Sequence, residues 1–178
     1  QSTKKNIALL LKNNCNAYKD IFLALDTEAK GDQILFLNGE IGTEKEEFAK
    51  YIHYQKYMRV DNFVSLQLNL LASDQHENKL ISLELKKILN NLKQATIFLS
   101  GYSKLKLQNQ IEIQNSLQKP FLGQDIKFIV GINPNTTDKK PKKNEELSTN
   151  YPGATFINLP PLRQCLQDIP ELLKSFID

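Results

Sequence analysis

The stretch Gln33-Ile-Leu-Phe-Leu-Asn-Gly-Glu-Ile-Gly-Thr-Glu-Lys-Glu-Glu47 decides the fold. Ile34 to Leu37 is a nearly all-apolar run of strand length, which suits a parallel strand covered on both faces. A glycine-punctuated turn follows, and then a helix carrying Lys45. This is the outline of a phosphate-binding loop, in which backbone N–H groups and the first helical turn cradle phosphate oxygens while a lysine reaches the outer phosphates. Gly39, Gly42, Thr43 and Lys45 are the candidate nucleotide-binding residues. The full pattern is Gly, four residues, then Gly-Lys-Ser/Thr, whereas Gly39 leads here to Glu44-Lys45-Glu46. A glutamate has replaced the last glycine. An ionised carboxylate ~4 Å from a phosphate charge costs about 4 kcal/mol at an effective dielectric near 20, so the loop's outline is kept while its affinity for phosphate is weakened.

Asn38 to Glu46, followed by Phe48-Ala-Lys-Tyr-Ile-His53, resembles the Gly-Glu-Ser-Gly-Thr-Gly-Lys-Glu loop and Ala-x-x-Ile-His helix of bacterial enhancer-binding proteins. That family carries a AAA+ ATPase domain that remodels sigma-54 RNA polymerase. Glutamate after the lysine is usual in it, so the resemblance adds Glu46 to the candidate site. It also adds Asn133, because Ile126-Lys-Phe-Ile-Val-Gly-Ile-Asn133 is similar to the family strand whose final polar residue senses the terminal phosphate. The most specific match is Leu159-Pro-Pro-Leu-Arg163 with Asp168-Ile-Pro170, which resembles Leu-Pro-Pro-Leu-Arg-x-Arg-x-x-Asp-Ile-Pro.

Several of the family's working parts have no counterpart. Ala95-Thr-Ile-Phe-Leu-Ser-Gly101 stands where the family has a strand ending in two carboxylates that hold magnesium and polarise the attacking water. Ser100 and Gly101 bring neither charge. The polymerase-contacting loop has no equivalent either, since no glycine occurs between Gly42 and Gly101. The arginine-finger segment aligns at Glu145 and Tyr151, and no arginine occurs between Arg59 and Arg163. Loss of one electrostatic element in a phosphoryl-transfer site costs a factor of about 10³ or more. The expectation is a domain that does not hydrolyse ATP, with a degenerate Walker A loop and without Walker B acids.

The remaining chain fits a single α/β domain over residues 1–178, excised from a longer regulator. A chain of 178 residues with 40% apolar residues can bury one good core. The net charge of +3 is too mild to argue nucleic-acid binding. The cluster Lys139 to Lys143 reads as a solvated loop, and Cys15 and Cys165 as free thiols in a reducing cytoplasm. With only His53 and His76 as further ligands, a metal site is not expected. No apolar run reaches the roughly 18 residues that span a bilayer.

Helical spacing is read at Asn6 to Leu11 and Tyr18 to Leu25, and at Lys45 onward with Phe48, Tyr51 and Ile52 inward and Lys50 and Lys56 outward. Further helices are read at Leu80 to Leu92 and Leu105 to Gln118. In the last of these, Ile111, Ile113 and Leu117 are the apolar contacts, and Gln108, Asn109, Gln110, Gln114 and Asn115 make a solvated face. Strands are read at Asn62 to Asn69, Ala95 to Gly101, Ile126 to Asn133 and from Phe156.

The resemblance implies a P-loop NTPase-like (AAA+) three-layer sandwich with a mainly parallel five-stranded sheet, and with the helical lid absent. The leading functional expectation is a non-hydrolytic interaction domain of a cytoplasmic transcription regulator. Its partners would be other domains of that regulator or the transcription machinery, with DNA met through a domain outside this chain and a homodimer allowed. The alternative is a sensor that binds ATP or ADP through the remnant loop without turnover.

Overall fold

The computed structural model describes residues 16–71, 77–90, 92–117, 123–134, 148–164 and 166. Its elements in chain order begin with α1 (Asn16–Ala29), β1 (Leu35–Asn38), α2 (Lys45–Tyr57), β2 (Phe63–Gln67), a single helical turn α3 (Leu68–Leu71) and α4 (Glu77–Asn90). They continue with β3 (Gln94–Ser100), a 3-10 turn (Tyr102–Lys104), α5 (Leu107–Leu117), β4 (Asp125–Ile132), β5 (Thr155–Asn158) and a 3-10 turn (Leu162–Gln164). The five strands form one sheet in the order β2-β3-β4-β1-β5, and every pairing between neighbours is parallel.

Side-chain alternation along each strand sorts the core into two layers. Leu35, Leu37, Phe98 and Ile129 point to one face, where they meet Leu25 of α1 and Phe48 and Ile52 of α2. Phe36, Ile97, Leu99, Phe128 and Val130 point to the other, where they meet Leu85 and Leu89 of α4 and Ile113 and Leu117 of α5. Leu35, Phe36 and Leu37 are all fully buried, as a run apolar on both faces requires. Each such side chain contributes about 1.5–3 kcal/mol by leaving water. This is the helix–sheet–helix sandwich that the apolar runs predict. Among the described residues, no helix is long and apolar enough to cross a membrane.

Several side chains depart from their expected places. Lys56 does not point freely outward: it bridges Asp32 at 2.7 Å and Asp125 at 3.2 Å, and only 10% of its side chain is exposed. Its methylenes lie along the protein while the ammonium reaches two carboxylates beside the amino-terminal ends of β1 and β4. Lys50 is likewise held, by Glu47 at 2.6 Å and Glu46 at 3.3 Å. On α5, Ile113 and Leu117 are buried as expected, but Ile111 is exposed, and Asn109, expected on the solvated face, is buried with its amide nitrogen unpaired. Leu83, an apolar residue of the helix read at Leu80 to Leu92, is exposed on α4.

His53 is structural, buried against Tyr57 and Phe63. Tyr151, aligned with an arginine finger, is instead packed on Phe36 and shares a hydroxyl contact with Tyr102. The Asn6–Leu11 helix, Cys15, His76, the Lys139–Lys143 cluster, Glu145, Cys165 and everything from Asp168 onward lie outside the described residues.

Candidate functional site

Ligands of open parallel sheets bind outside the carboxyl ends of the strands, and here the loop after β1 opens between β4 and β5 at that edge. The Gly39 N–H donates to the Ile132 carbonyl at 3.1 Å, which anchors the start of the loop to the end of β4. Gly39 is needed for close approach: a Cβ there would lie 2.5 Å from Thr43 Oγ1 and 3.2 Å from Leu159 Cβ. Gly42 is exposed at the loop's tip with φ +88, a left-handed conformation natural to glycine.

The loop closes on itself through one carbonyl. Glu40 O accepts from the Thr43 N–H at 3.3 Å, the Thr43 hydroxyl at 2.9 Å and the Lys45 ammonium at 2.7 Å. Lys45 also donates to Gly39 O at 2.7 Å and to Thr43 Oγ1 at 3.2 Å. Partial burial lowers its pKa. Its three donors are thus engaged with the loop itself, and a phosphate would have to replace those acceptors.

Glu44 sits where the phosphate-loop pattern has glycine, and its backbone is left-handed at φ 52, ψ 35. Glu44 thus takes a conformation natural to glycine, at a cost of about 1–2 kcal/mol for an L-residue. Desolvation, and then the neighbouring Glu47 and Glu46, raise the pKa of its carboxyl although the residue counts as exposed. Glu46 lies in the first turn of α2 and accepts from Ser65 Oγ at 3.2 Å. Glu47 Oε1 takes the Lys50 ammonium, while Glu47 Oε2 is buried without a partner. Three carboxylates, Glu44, Glu46 and Glu47, thus stand at the start of α2, the last two held by Lys50.

At the end of β3, the Ser100 hydroxyl donates to Leu66 O at 3.3 Å. Gly101 has φ +77, and a Cβ on it would overlap the Asn69 side-chain oxygen and lie 2.9 Å from Asn69 Cγ. Asn133 follows β4, its N–H held by Ser103 Oγ at 3.2 Å. Hydrogen bonds thus join Gly39, Thr43 and Lys45 directly, and Gly42 lies in the same loop, whereas Glu46 is bonded to Ser65 and Lys50 and Asn133 to Ser103. Among the described residues, no three His, Cys, Asp or Glu side chains are grouped to hold a metal ion.

Two features of this edge escaped the sequence reading. Glu40 and Arg163 form a two-pronged ion pair at 2.7 and 2.8 Å, and Asn38 Nδ2 donates to Asn158 Oδ1 at 2.9 Å. The signal for the first was present, because Arg163 lies in the most specific motif of the chain. Its partner could not be read, since 123 positions separate the two residues.

The fold has known counterparts. NtrX from Brucella abortus in complex with ATP superposes with a TM-score of 0.68 at 18% identity, over 92% of this chain and 41% of that one. A DNA replication initiation factor superposes with a TM-score of 0.58 at 17% identity, over 93% of this chain and 52% of that one. The fold shared with these proteins is the helix-flanked, five-stranded parallel sheet. In sequence, the transcriptional regulatory protein XylR of Pseudomonas putida is 24% identical over 181 residues, covering 90% of this chain and 32% of XylR. The chain spans about a third of that relative's length. No model of a protein family matches it.

Proposed function

We propose that this chain is a domain of a bacterial transcription regulator related to the sigma-54-dependent activators, acting in the cytoplasm as an interaction module that does not hydrolyse ATP. The observation that carries this reading is Gly101, whose left-handed backbone is closed over by Asn69 where the resemblance places a carboxylate. Ser100 beside it is bonded to Leu66 O, so neither residue brings a charge to hold magnesium or polarise water. Similarity to a transcriptional regulatory protein supports the regulatory class. The partners are other domains of the same regulator or the transcription machinery, with DNA met through a domain outside this chain. An ATPase assay tests this: no turnover above background is expected, and turnover that disappears in Lys45→Ala overturns it.

A second reading is favoured by the loop's retained shape. Gly39, Gly42, Thr43, Lys45, Glu46 and Asn133 form the remnant of a site for ATP or ADP, held without turnover. NtrX, which shares the fold, was crystallised with ATP and with ADP. In this chain Lys45 would turn from Gly39 O and Glu40 O to the phosphate, against the charge of Glu44. Binding at a concentration 100 times Kd stabilises a protein by about 2.7 kcal/mol, so millimolar ATP should raise the melting temperature; no shift removes this reading.

A further inference from the structure

The closed state of the loop hangs on Glu40, whose carbonyl gathers the Thr43 N–H, the Thr43 hydroxyl and the Lys45 ammonium. The same residue is gripped from outside. Its two carboxylate oxygens take the two terminal nitrogens of Arg163 at 2.7 and 2.8 Å, the paired geometry that most strongly orients a carboxylate. Arg163 is not on a free arm. It sits in the 3-10 turn that follows Pro160-Pro161, where the Gln164 N–H donates to Pro161 O at 2.9 Å. Two fixed proline φ angles stiffen that link, and the Leu159 N–H donates to Asn38 O at 2.7 Å, tying it to the end of β1. The start of the loop and the segment after β5 are thus joined twice, by backbone at Asn38 and by ion pair at Glu40.

We propose that the Glu40–Arg163 pair is an autoinhibitory clasp, which holds the phosphate-binding loop closed on its own lysine and opens it when the segment following β5 moves Arg163 away. This rests on the loop being the site of the second reading above, although the clasp itself is a property of the ligand-free protein. While Arg163 grips the carboxylate, Glu40 cannot swing out and its carbonyl stays beneath Lys45. When the pair parts, the loop loses its outer tether, Lys45 can leave Glu40 O, and Arg163 becomes a second cation at the mouth. Because both partners are exposed, the clasp is weak and sensitive to salt, as a reversible switch should be.

The test is hydrogen exchange of the Gly39 and Thr43 amides in the ligand-free chain, for wild type, Glu40→Gln, Arg163→Gln and the double variant. The Thr43 amide is bonded within the closed loop and the Gly39 amide at the loop's anchor on β4, so loosening of the loop start reaches both. Each single variant is expected to speed their exchange about 2- to 5-fold, with the double variant no faster than either single, and amides of β4 unchanged. Raising salt should speed exchange in wild type alone. Unchanged exchange in the single variants, or effects that multiply in the double, overturns the clasp. Nucleotide titration addresses the second reading separately, so failure of one is distinguishable from failure of the other.

Discussion

Asn69 closes over Gly101: the asparagine side chain occupies the space that any Cβ on the glycine would take, and its Cγ lies 2.9 Å from that position. Gly101 is also left-handed at φ +77. Two independent restraints therefore oppose a carboxylate at the end of β3. Substituting Gly101→Glu should cost roughly 2–4 kcal/mol, from left-handed strain and overlap together. Adding Asn69→Ala should recover the overlap part and leave the strain. Chemical denaturation of the two variants checks this, and equal losses in both would show that Asn69 is not the obstacle. Ser100→Asp with Gly101→Glu should bring no ATP turnover.

Glu44 offers the opposite case, a side chain in a place shaped for glycine. With φ 52 it bears about 1–2 kcal/mol of strain, and glycine would relieve this at a loss of about 0.5–1 kcal/mol in chain entropy. Glu44→Gly is therefore expected to stabilise the protein slightly, with a melting temperature about 1–4 °C higher. It also removes a carboxylate from the helix start. A thermal shift with millimolar ATP should be larger in the variant than in wild type, and an equal or smaller shift would mean that Glu44 is not what weakens phosphate binding.

How much of this was legible follows from the range of the interactions. The five strands and their helices could be read because strand alternation and helical spacing are local, and β1 with Leu35, Phe36 and Leu37 announces burial on both faces. The loop's backbone was legible for the same reason, since Gly39, Gly42, Thr43 and Lys45 lie within seven positions. Contacts set by the fold could not be. Asn69 lies 32 positions before Gly101 and on another element, while Lys56 finds its carboxylates at Asp32 and Asp125. On α5 the face through Ile113 and Leu117 was legible, but Asn109 and Ile111 exchange the places their polarity suggests.

Lys127 shows a buried charge serving a backbone rather than a ligand. It lies in β4 between Ile126 and Phe128 and is fully buried. Its ammonium donates to Glu28 O at 3.0 Å, Gly31 O at 3.0 Å and Gln33 O at 2.8 Å, closing the carbonyl end of α1. Burial pushes its pKa down to about 8, which leaves it largely protonated at pH 7. Lys127→Met strands three carbonyls and should cost roughly 2–4 kcal/mol, part of the loss being offset by removing a buried charge. Urea denaturation at pH 7 measures it, and a neutral result would mean that water can replace the ammonium.

His53 makes the folded protein sensitive to mild acid. The Asp61 carbonyl, 2.8 Å from Nε2, can only accept, so Nε2 carries the hydrogen and Nδ1 accepts from the Thr96 hydroxyl at 3.0 Å. Burial lowers the pKa of the ring below its ordinary value, the Asp61 carbonyl opposing only in part. A depressed histidine pKa means that the unfolded chain binds a proton before the folded one does. Its contribution is therefore complete above about pH 6.5, the unfolded value, and declines as pH falls below it until the folded ring is protonated too. Within that window the loss runs at up to about 1.4 kcal/mol per pH unit for one proton. His53→Gln keeps a polar group between α2 and β3 and removes the titration. Unfolding free energies of both proteins from pH 7.5 to 5 should diverge in slope below pH 6.5, wild type falling faster. Parallel curves would show that His53 is protonated as readily in the fold as outside it.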